Sequence, residues 1–247
     1  MRISGLGATR VGSAVRRPAG HWAEHVSVRI GTWNTDGRWS PEHLELLVGA
    51  ECDVWLLTEV EEQVELDGFC RHLAQGVVGP RRRSRWAGVL SRQPLTALPD
   101  PHVASAAAVA GGIAYCSTVL PWANTKGDLD WPGENHEKRT ASALGPLLAN
   151  LPSSDLVWGG DWNHAASGPR PDGTEGARKR VWAAVEDRGL QVATADLPHR
   201  EDGYLTTDHV AVPSDWVVTG AERLDARGLS DHDCHIVDVD VAGPSTR

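Results

Sequence analysis

The feature that most constrains the fold is a series of short apolar runs with the two-residue alternation of β-strands. Residues 26–32 (VSVRIGT) place Val26, Val28 and Ile30 on one face, and residues 53–58 (DVWLLT) form a compact apolar run. Five later segments also predict strands, at 86–91, 113–119, 155–159, 207–212 and 235–241. The chain is therefore expected to build β-sheets from many short strands.

Helical signals lie between some of these strands. Ser40 and Pro41 are typical of a helix start, with an N-cap followed by proline at the first helical position, and Leu44, Leu47 and Val48 form an apolar stripe. Two further helices are predicted, around 135–150 and around 175–188 with Gly189 as the stop. Many short strands interleaved with few helices favour mixed sheets over a regular doubly wound sheet.

The simplest domain organisation is one mixed α/β domain over about 26–242. Residues 1–25 lack the continuous apolar stretch of a secretory signal, and we expect them and residues 243–247 to be tails outside the fold. The segment 121–135, with two prolines and two glycines, reads as a long surface loop. No apolar run approaches the length that spans a bilayer, so no membrane insertion is expected.

Charge and cysteine content limit the setting and the partners. The net charge of −9 argues against a protein that grips nucleic acid nonspecifically, because such proteins are usually basic. An acidic chain that acts on phosphate needs a metal or a local basic patch. None of the four cysteines forms a C-x-x-C pair, so we expect buried free thiols and a cytoplasmic monomer.

Polar residues with possible chemical roles stand at or near the strand ends. Each one alone is more typical of a turn, so the argument depends on the ordered set. Asp161 and Asn163, spaced by two, would point to one side if the backbone there were extended. The set comprises Asn34 in T-W-N, Glu59 after L-L-T, Asp161 and Asn163 in G-G-D-W-N, Asp208 in T-D-H-V, and Asp231 and His232 in S-D-H.

In order and position, this set resembles the endonuclease/exonuclease/phosphatase superfamily, which includes exonuclease III-like and DNase I-like nucleases, sphingomyelinases and inositol phosphatases. The resemblance runs from about residue 27 to residue 241, and G-D-W-N and S-D-H are its most specific pieces. It implies a four-layer α/β sandwich, with two mixed sheets face to face and helices outside. It also implies an active site at one edge of the sandwich and a metal-dependent phosphoesterase activity.

The resemblance further implies a metal site. Glu59 would hold Mg²⁺, or Mn²⁺ in its place, with Asn34 and Asp231 nearby as ligands or water-mediated partners. A carboxylate is a hard oxygen ligand that suits Mg²⁺. Without metal, the clustered acids would repel one another, so we expect the site to be poorly ordered or partly protonated.

The same resemblance assigns the reacting groups. Asp161 would orient or deprotonate the attacking water, and Asn163 would position that water and the phosphate. His232 would hydrogen-bond a scissile phosphate oxygen, and Asp208 would orient His232 and favour its charged form.

The chain departs from the family pattern on the central strand that leads to the long loop. Many members of that superfamily carry His or Tyr on this strand, but this chain has neither residue near Val119, where the pattern expects it. A neighbouring donor, His136, Asn124 or Lys126, is a possible substitute.

Substrate contacts are the least constrained part of the sequence. Arg139 either reaches a substrate phosphate or covers the helix surface, and the basic run of Arg81, Arg82, Arg83 and Arg85 either contacts a phosphate backbone or is a solvated loop. The tryptophans Trp122 and Trp131 are candidates for stacking on a base, whereas Trp162 is expected in the core. We expect His164 and His209 to be packed or supporting residues, not ligands.

Three functions remain open from the sequence. The first is a Mg²⁺-dependent phosphodiesterase of nuclease type, acting on a nucleic acid. The second is a small-molecule or lipid phosphatase with the same site, which the negative charge favours. The third is a binding module that kept the fold and lost turnover, which the missing His or Tyr favours and the complete polar set argues against.

Overall fold

The computed structural model describes residues 26–79, 83–125, 130–169 and 173–241. The expected tails at 1–25 and 243–247 lie outside the described residues, as do Arg81, Arg82 and Lys126.

The described residues form twelve strands and three helices. In chain order they are β1 (Val26–Asn34), α1 (Pro41–Gly49), β2 (Val54–Glu61), β3 (Cys70–Leu73), β4 (Ser84–Ser91), β5 (Thr96–Ala97), β6 (Ser105–Ala110), β7 (Ile113–Thr118), α2 (His136–Asn150), β8 (Leu156–Asp161), α3 (Glu175–Asp187), β9 (Leu190–Val192), β10 (Asp208–Pro213), β11 (Val217–Leu224) and β12 (Cys234–Val241).

The strands form two six-stranded sheets of the same design. The first sheet has the order β11-β12-β1-β2-β4-β3 and the second has the order β5-β6-β7-β8-β10-β9. Each contains one parallel pair, β1 with β2 and β7 with β8, joined through a helix, while the other neighbours are antiparallel. Both sheets are therefore mixed, as the sequence predicted.

Three apolar clusters separate four layers, which confirms the predicted sandwich. The central cluster joins the two sheets and includes Ile30, Leu56 and Val210. A second cluster packs α1 on the outer face of the first sheet, and a third packs α2 and α3 on the outer face of the second sheet. Because alternate residues of each strand face opposite sides, both sheets are covered on two faces.

The face between the sheets changes from apolar to polar along the strands, and this change places the site. In β1, Val28 and Ile30 belong to the central cluster, and alternation puts Thr32 and Asn34 on the same face. In β10 the sequence runs the other way, because Asp208 precedes Val210 and Val212 of that cluster. The polar residues of both sheets thus collect at one end of the central layer.

Five strands were missed by the sequence patterns, because each is short, exposed or built from small residues. β3, β5 and β9 have two to four residues, β11 is largely exposed, and four of the six residues of β6 are alanine. Alanine has a low β-propensity, and an exposed edge strand carries no strict apolar alternation.

The first helix begins where predicted, but two details differ. Ser40 occupies the N-cap position, yet its hydroxyl contacts Glu42 and His43 and does not cap a backbone N–H. The buried stripe contains Leu46 and Leu47, whereas Val48 is 51% exposed, so its assignment to the stripe was wrong.

The cysteines largely match the expectation of buried free thiols. Cys52, Cys116 and Cys234 are buried free thiols as predicted, whereas Cys70 is an exposed free thiol. Over the described ranges, no helix combines the length and the apolar character that crossing a bilayer requires.

Candidate active site

The carboxyl ends of the parallel strands β1 and β2 bring Asn34 and Glu59 together. Asn34 Nδ2 lies 3.3 Å from Glu59 Oε1 and 3.0 Å from Asp161 Oδ2 of the opposite sheet. Asn34 is buried, and its Oδ1 accepts the backbone N–H of Asp36 at 2.9 Å. One amide therefore bridges two acidic side chains from different sheets, and its own orientation is fixed by the following turn.

Glu59 reaches this cluster because the backbone of β2 is interrupted at that residue. Glu59 has a φ of 46°, in the left-handed region that residues other than glycine rarely adopt. Leu57 and Val60, three residues apart, both pack in the outer cluster beside α1, so the two-residue alternation is broken between them. The Glu59 carbonyl is held by Gly37 N–H at 2.7 Å and by the Thr35 hydroxyl at 2.8 Å. Strain retained at one acidic residue in this way is typical of functional sites.

Asp161 is placed by the end of β8, where only glycine fits the residue before it. Gly160 has a φ of 118°, and a Cβ there would lie 2.3 Å from the Thr118 carbonyl oxygen of β7. The Asp161 carbonyl then accepts the Leu120 N–H at 3.0 Å. The glycine in G-G-D-W-N is thus explained by the close approach of two strands.

Asn163 meets Asp161 through a turn, and the extended backbone expected from the sequence was wrong. Asn163 has a φ of 56°, and its backbone N–H donates to Asp161 Oδ1 at 3.0 Å. Its side-chain Nδ2 donates to the Leu120 carbonyl at 2.9 Å. Asn163 therefore fixes one oxygen of Asp161 while Asn34 holds the other.

His232 and Asp208 form a hydrogen-bonded pair. His232 Nδ1 lies 2.7 Å from Asp208 Oδ2, and His232 Nε2 lies 3.9 Å from Asp161 Oδ2 and 4.0 Å from Asp231 Oδ1. The Asp231 side chain is 77% exposed, so it stands at the rim of the cluster. All seven residues proposed for metal binding and catalysis thus lie in one connected group.

The charge on His232 is controlled by these carboxylates. Burial opposes protonation of the ring, but Asp208, Asp161 and Asp231 together hold the pKa of His232 well above its usual value. The pKa of Asp208 is lowered despite burial, because His232 pairs with it. The pair is therefore an imidazolium and a carboxylate at neutral pH, with Nε2–H free to donate.

Asp161, which is buried, and Glu59, which is half-buried, behave differently from Asp208. Burial raises the pKa of Asp161 to about 7, and the charge of Asp208 adds to this effect. Burial also raises the pKa of Glu59. Because the Asp161 carboxylate titrates near neutral pH, it can exchange protons with water under physiological conditions, as a general base must.

The donors around Glu59 suit a hard divalent cation. Burial dominates the raised pKa of Glu59, and the charges that act on it most strongly in the described part of the chain are one cation, His232, and two anions, Asp36 and Asp231. Oxygen donors with an excess of negative charge are the chemistry that Mg²⁺ and Mn²⁺ bind. Asp161, Asp208 and His232 also offer three donor atoms within 4.8 Å of one another. In this second group Asp208 and His232 already satisfy each other, so Glu59 has the more available carboxylate.

The residues predicted to contact substrate have mixed environments. Arg139 is buried and donates to the carbonyls of Gly133 at 3.4 Å and Ala123 at 3.2 Å, so its guanidinium fastens the long loop and does not cover the helix surface. Arg85 contacts Glu62 and the Gln75 carbonyl, while Arg83 is exposed. Their contacts with a substrate remain predictions.

The tryptophans divide into one available ring and two core residues. Trp122 is half-buried and packs edge-on against Trp131, with ring centres 5.7 Å apart. Trp131 is buried, so its proposed stacking on a base was wrong. Trp162 is buried as predicted. Trp122 is therefore the remaining candidate for stacking.

His164 and His209 are packed, as expected. His209 lies 3.0 Å from the Thr194 hydroxyl and 2.9 Å from the His164 carbonyl, and burial lowers the pKa of both His209 and His164 to about 4. His136 is also engaged, with Nε2 2.7 Å from the Pro121 carbonyl. Asn124 is exposed, so of the two described candidates, His136 and Asn124, it is the one available to replace the missing strand residue.

Ser230 is the residue of this site whose role the sequence did not reveal. Its hydroxyl donates to the Asn34 carbonyl at 2.7 Å and accepts the His232 N–H at 3.1 Å. Arg200 donates to the Ser230 carbonyl at 2.7 Å, and the Trp33 indole N–H donates to the His232 carbonyl at 3.1 Å. The first residue of S-D-H therefore joins β1 to the loop that carries His232. The motif includes this serine, but the sequence alone does not indicate its contacts.

Comparisons with solved structures place this architecture among known folds. An endonuclease/exonuclease/phosphatase from Beutenbergia cavernae DSM 12333 is 15% identical, with a TM-score of 0.63 over 90% of this chain and 73% of that one. The endonuclease domain of TRAS1, a telomere-specific non-LTR retrotransposon, is 13% identical, with a TM-score of 0.62 over 87% of this chain and 98% of that one. A humanized D. rerio TDP2 with 14 mutations is 12% identical, with a TM-score of 0.54 over 87% of this chain and 99% of that one.

These similarities establish the fold that the resemblance found in the sequence implied. No family model matches the chain, and no curated protein matches it in sequence.

Proposed function

We propose that this chain, which has the fold of the endonuclease/exonuclease/phosphatase superfamily, is a divalent-metal-dependent phosphodiesterase of nuclease type. The observation that carries the proposal is the convergence of Asn34, Glu59, Asp161, Asp208 and His232, from both sheets, within direct hydrogen-bond or ion-pair distance of one another. Two of the structurally similar proteins are described as an endonuclease domain and as TDP2, and the first supports a nucleic acid as the substrate.

In this proposal His232 binds the phosphate. Its Nε2–H donates to a non-bridging oxygen and stabilises the negative charge that grows there during hydrolysis. Asp208 holds the opposite nitrogen at 2.7 Å and keeps the ring charged and oriented. Asn34, Asn163 and Ser230 limit the movement of the surrounding side chains.

Asp161 activates the attacking water. Both of its oxygens already accept a hydrogen bond, Oδ2 from Asn34 and Oδ1 from the backbone of Asn163, so the carboxylate is fixed in direction. Its pKa of about 7 lets it take a proton from water at neutral pH. In-line attack on phosphorus requires a base that is fixed in direction and whose pKa is close to neutral pH.

Glu59 would hold the metal, with Asp231 and Asn34 beside it. A bound Mg²⁺ or Mn²⁺ supplies Lewis-acid stabilisation of charge on the phosphate and leaving oxygen. Glu59 and the exposed rim residue Asp231 would supply oxygen donors to such an ion.

The charge balance of the site favours a diester over a monoester. His232 is the cation of the described cluster, and Glu59, Asp161, Asp208 and Asp231 are its acids. A phosphodiester carries one negative charge and a monoester carries up to two, so the diester is repelled less by these acids, whose charge His232 and a bound divalent ion offset only in part.

A small-molecule or lipid phosphatase is the second candidate. The net charge of −9 favours it, because long nucleic-acid binding usually requires a basic surface. The same site would perform the hydrolysis, and only the size and charge of the substrate would differ.

One assay separates the candidates. The protein is incubated with labelled single- and double-stranded DNA, RNA, bis(p-nitrophenyl) phosphate and p-nitrophenyl phosphate, with Mg²⁺, Mn²⁺ or EDTA. Nucleic-acid and diester cleavage that EDTA abolishes supports the proposal, whereas turnover of monoesters alone supports the second candidate. Absence of turnover on every substrate with either ion contradicts both.

Variants connect that activity to the site. Glu59→Gln and His232→Ala are expected to abolish cleavage, and Glu186→Gln, an exposed acid on α3, serves as the matched control for loss of a carboxylate. Wild-type rates in either site variant would contradict the assignment.

A further inference from the structure

A second histidine, His235, lies inside the sandwich beneath the His232–Asp208 pair. In β12, Val237 and Val239 belong to the central cluster between the sheets, and alternation places His235 on the same face. His235 pairs with Thr32 of β1, one alternation step below Asn34. Only 2% of its surface is exposed, so it occupies a position where the rest of its strand face is valine.

Both ring nitrogens of His235 are buried without a hydrogen-bond partner among the described residues. A neutral imidazole always carries one N–H donor and one acceptor nitrogen, and burial of an unpaired polar group costs stability. Burial lowers the pKa of His235, so the ring is neutral at physiological pH. A leucine or valine would avoid this cost, which indicates that the imidazole has a partner of some kind.

Asp208 offers the complementary atom. Its Oδ2 accepts from His232, but its Oδ1 is buried and is the one carboxylate oxygen without a partner among the buried side-chain atoms of the described chain. Alternation in β10 points Asp208 into the same central layer as His235. Of the charged groups that act on His235, Asp208 has the strongest effect.

The polar atoms in this layer also suit an internal water. Internal waters occupy sites that offer two to four polar partners, and a nitrogen of His235 and Asp208 Oδ1 supply two.

We propose that His235 is a positioning residue that hydrogen-bonds Asp208 Oδ1 through one internal water, and so extends the pair into a chain His232–Asp208–His235. This inference rests on the proposed function for its catalytic meaning, because it assigns a support to the residue that orients the phosphate-binding imidazole. The support acts by fixing the rotamer of Asp208, since a carboxylate held at both oxygens cannot turn away from His232.

The test compares His235→Leu, which removes both nitrogens, with His235→Gln, which keeps a donor. Ser105→Ala is the matched control, because the Ser105 hydroxyl is also buried and without a partner but belongs to β6, away from this pair. Folding of all three is checked by near-ultraviolet circular dichroism. The direct measurement is the ¹H–¹⁵N spectrum of ¹⁵N-histidine-labelled full-length protein, without metal or substrate, in which the Nδ1–H resonance of His232 is followed.

The expected result is a shift or broadening of the His232 Nδ1–H resonance in His235→Leu, with His235→Gln and Ser105→Ala close to wild type. In the nuclease assay we expect kcat to fall about tenfold in His235→Leu with KM unchanged, and to recover in His235→Gln. An unchanged His232 resonance in a folded His235→Leu protein would overturn the inference, whatever the activity. If the wild-type protein cleaves nothing, the proposed function fails, while the spectrum still decides the role of His235.

Discussion

Asp208 Oδ2, in β10 of the second sheet, lies 2.7 Å from Nδ1 of His232, in the turn that precedes β12 of the first sheet. Asp208 is only 1% exposed, so its charge acts on the imidazole with little screening by water. The pair therefore determines the pH at which His232 loses its proton.

The first prediction concerns Asp208→Asn. Loss of the carboxylate charge lowers the pKa of His232, because Asp208 is its main source of stabilisation. We expect kcat/KM on the diester to fall by about a thousandfold at pH 7.5, and the alkaline limb of the pH–rate profile to move to lower pH. The measurement is kcat/KM between pH 5 and pH 10 for both proteins.

The same substitution has a defined effect on stability. A histidine whose folded pKa is raised stabilises the fold below its unfolded pKa, and that contribution is lost as the pH rises through the folded pKa. The variant should therefore lose stability relative to wild type at pH 6 and less at pH 10. An equal loss at both pH values would contradict the charged pair.

The second prediction concerns Asp161, whose pKa of about 7 is higher than that of an unfolded aspartate. The raised pKa means that the folded state binds a proton more tightly than the unfolded chain, so stability falls as the pH rises from the unfolded pKa to the folded pKa, and the full loss is present above about pH 7. In metal-free buffer, Asp161→Asn should raise the free energy of unfolding at pH 8 by on the order of 2 kcal/mol, and change it little at pH 3.5.

Urea denaturation at the two pH values measures this difference, with Glu186→Gln as the control for removing an exposed acid. The variant should also lose diester cleavage, since the base is gone. A wild-type acid limb of the pH–rate profile far from pH 7 would argue that another group accepts the proton.

Sequence patterns located the strand ends that carry the site but not how the backbone presents each side chain. T-W-N and S-D-H were sufficient to find Asn34 and His232 through the resemblance of the ordered set, and alternation in β1 explains why Asn34 faces the central layer. Glu59 reaches the cluster through a left-handed residue within a strand, and Asn163 through a turn, and no pattern in the sequence specifies either. Local backbone strain depends on tertiary contacts, which are not encoded in periodicity.

Long-range partners were equally hidden. Arg139 was predicted either to meet a phosphate or to cover a helix, and the structure shows it bound to loop carbonyls. His235 follows S-D-H by only three residues and looks like part of an apolar strand, yet the partner proposed for it, Asp208, comes from the other sheet. Pairings between sheets are set by packing of the whole sandwich, so a single sequence does not reveal them.

The third prediction concerns metal binding at Glu59. Wild-type protein should gain thermal stability on addition of Mg²⁺ or Mn²⁺, by about 2.7 kcal/mol when the free ion is a hundredfold above its Kd. Glu59→Gln should lose this gain and its activity while remaining folded. Differential scanning calorimetry with and without each ion measures the effect.

Asp231→Asn provides the graded comparison, because Asp231 is exposed at the rim and is proposed as a secondary ligand or water-mediated partner. It should weaken the metal-dependent stabilisation without abolishing it. Equal stabilisation by metal in wild type and in Glu59→Gln would place the ion elsewhere.

The last prediction tests how the backbone before Asp161 positions the base. In Gly160→Ala the new Cβ would lie 2.3 Å from the Thr118 carbonyl oxygen, at a φ of 118°, so β7 and β8 must move apart. We expect a loss of about 3 kcal/mol in the free energy of unfolding, and a fall in kcat of about a hundredfold because Asp161 is displaced. Gly145→Ala is the matched control, since a Cβ there meets nothing within 4 Å in helix α2, and it should be neutral or stabilising by up to about 1 kcal/mol. Urea denaturation and diester cleavage of both variants give the comparison, and a Gly160→Ala protein with wild-type stability and rate would show that the close approach of the two strands does not hold Asp161 in place.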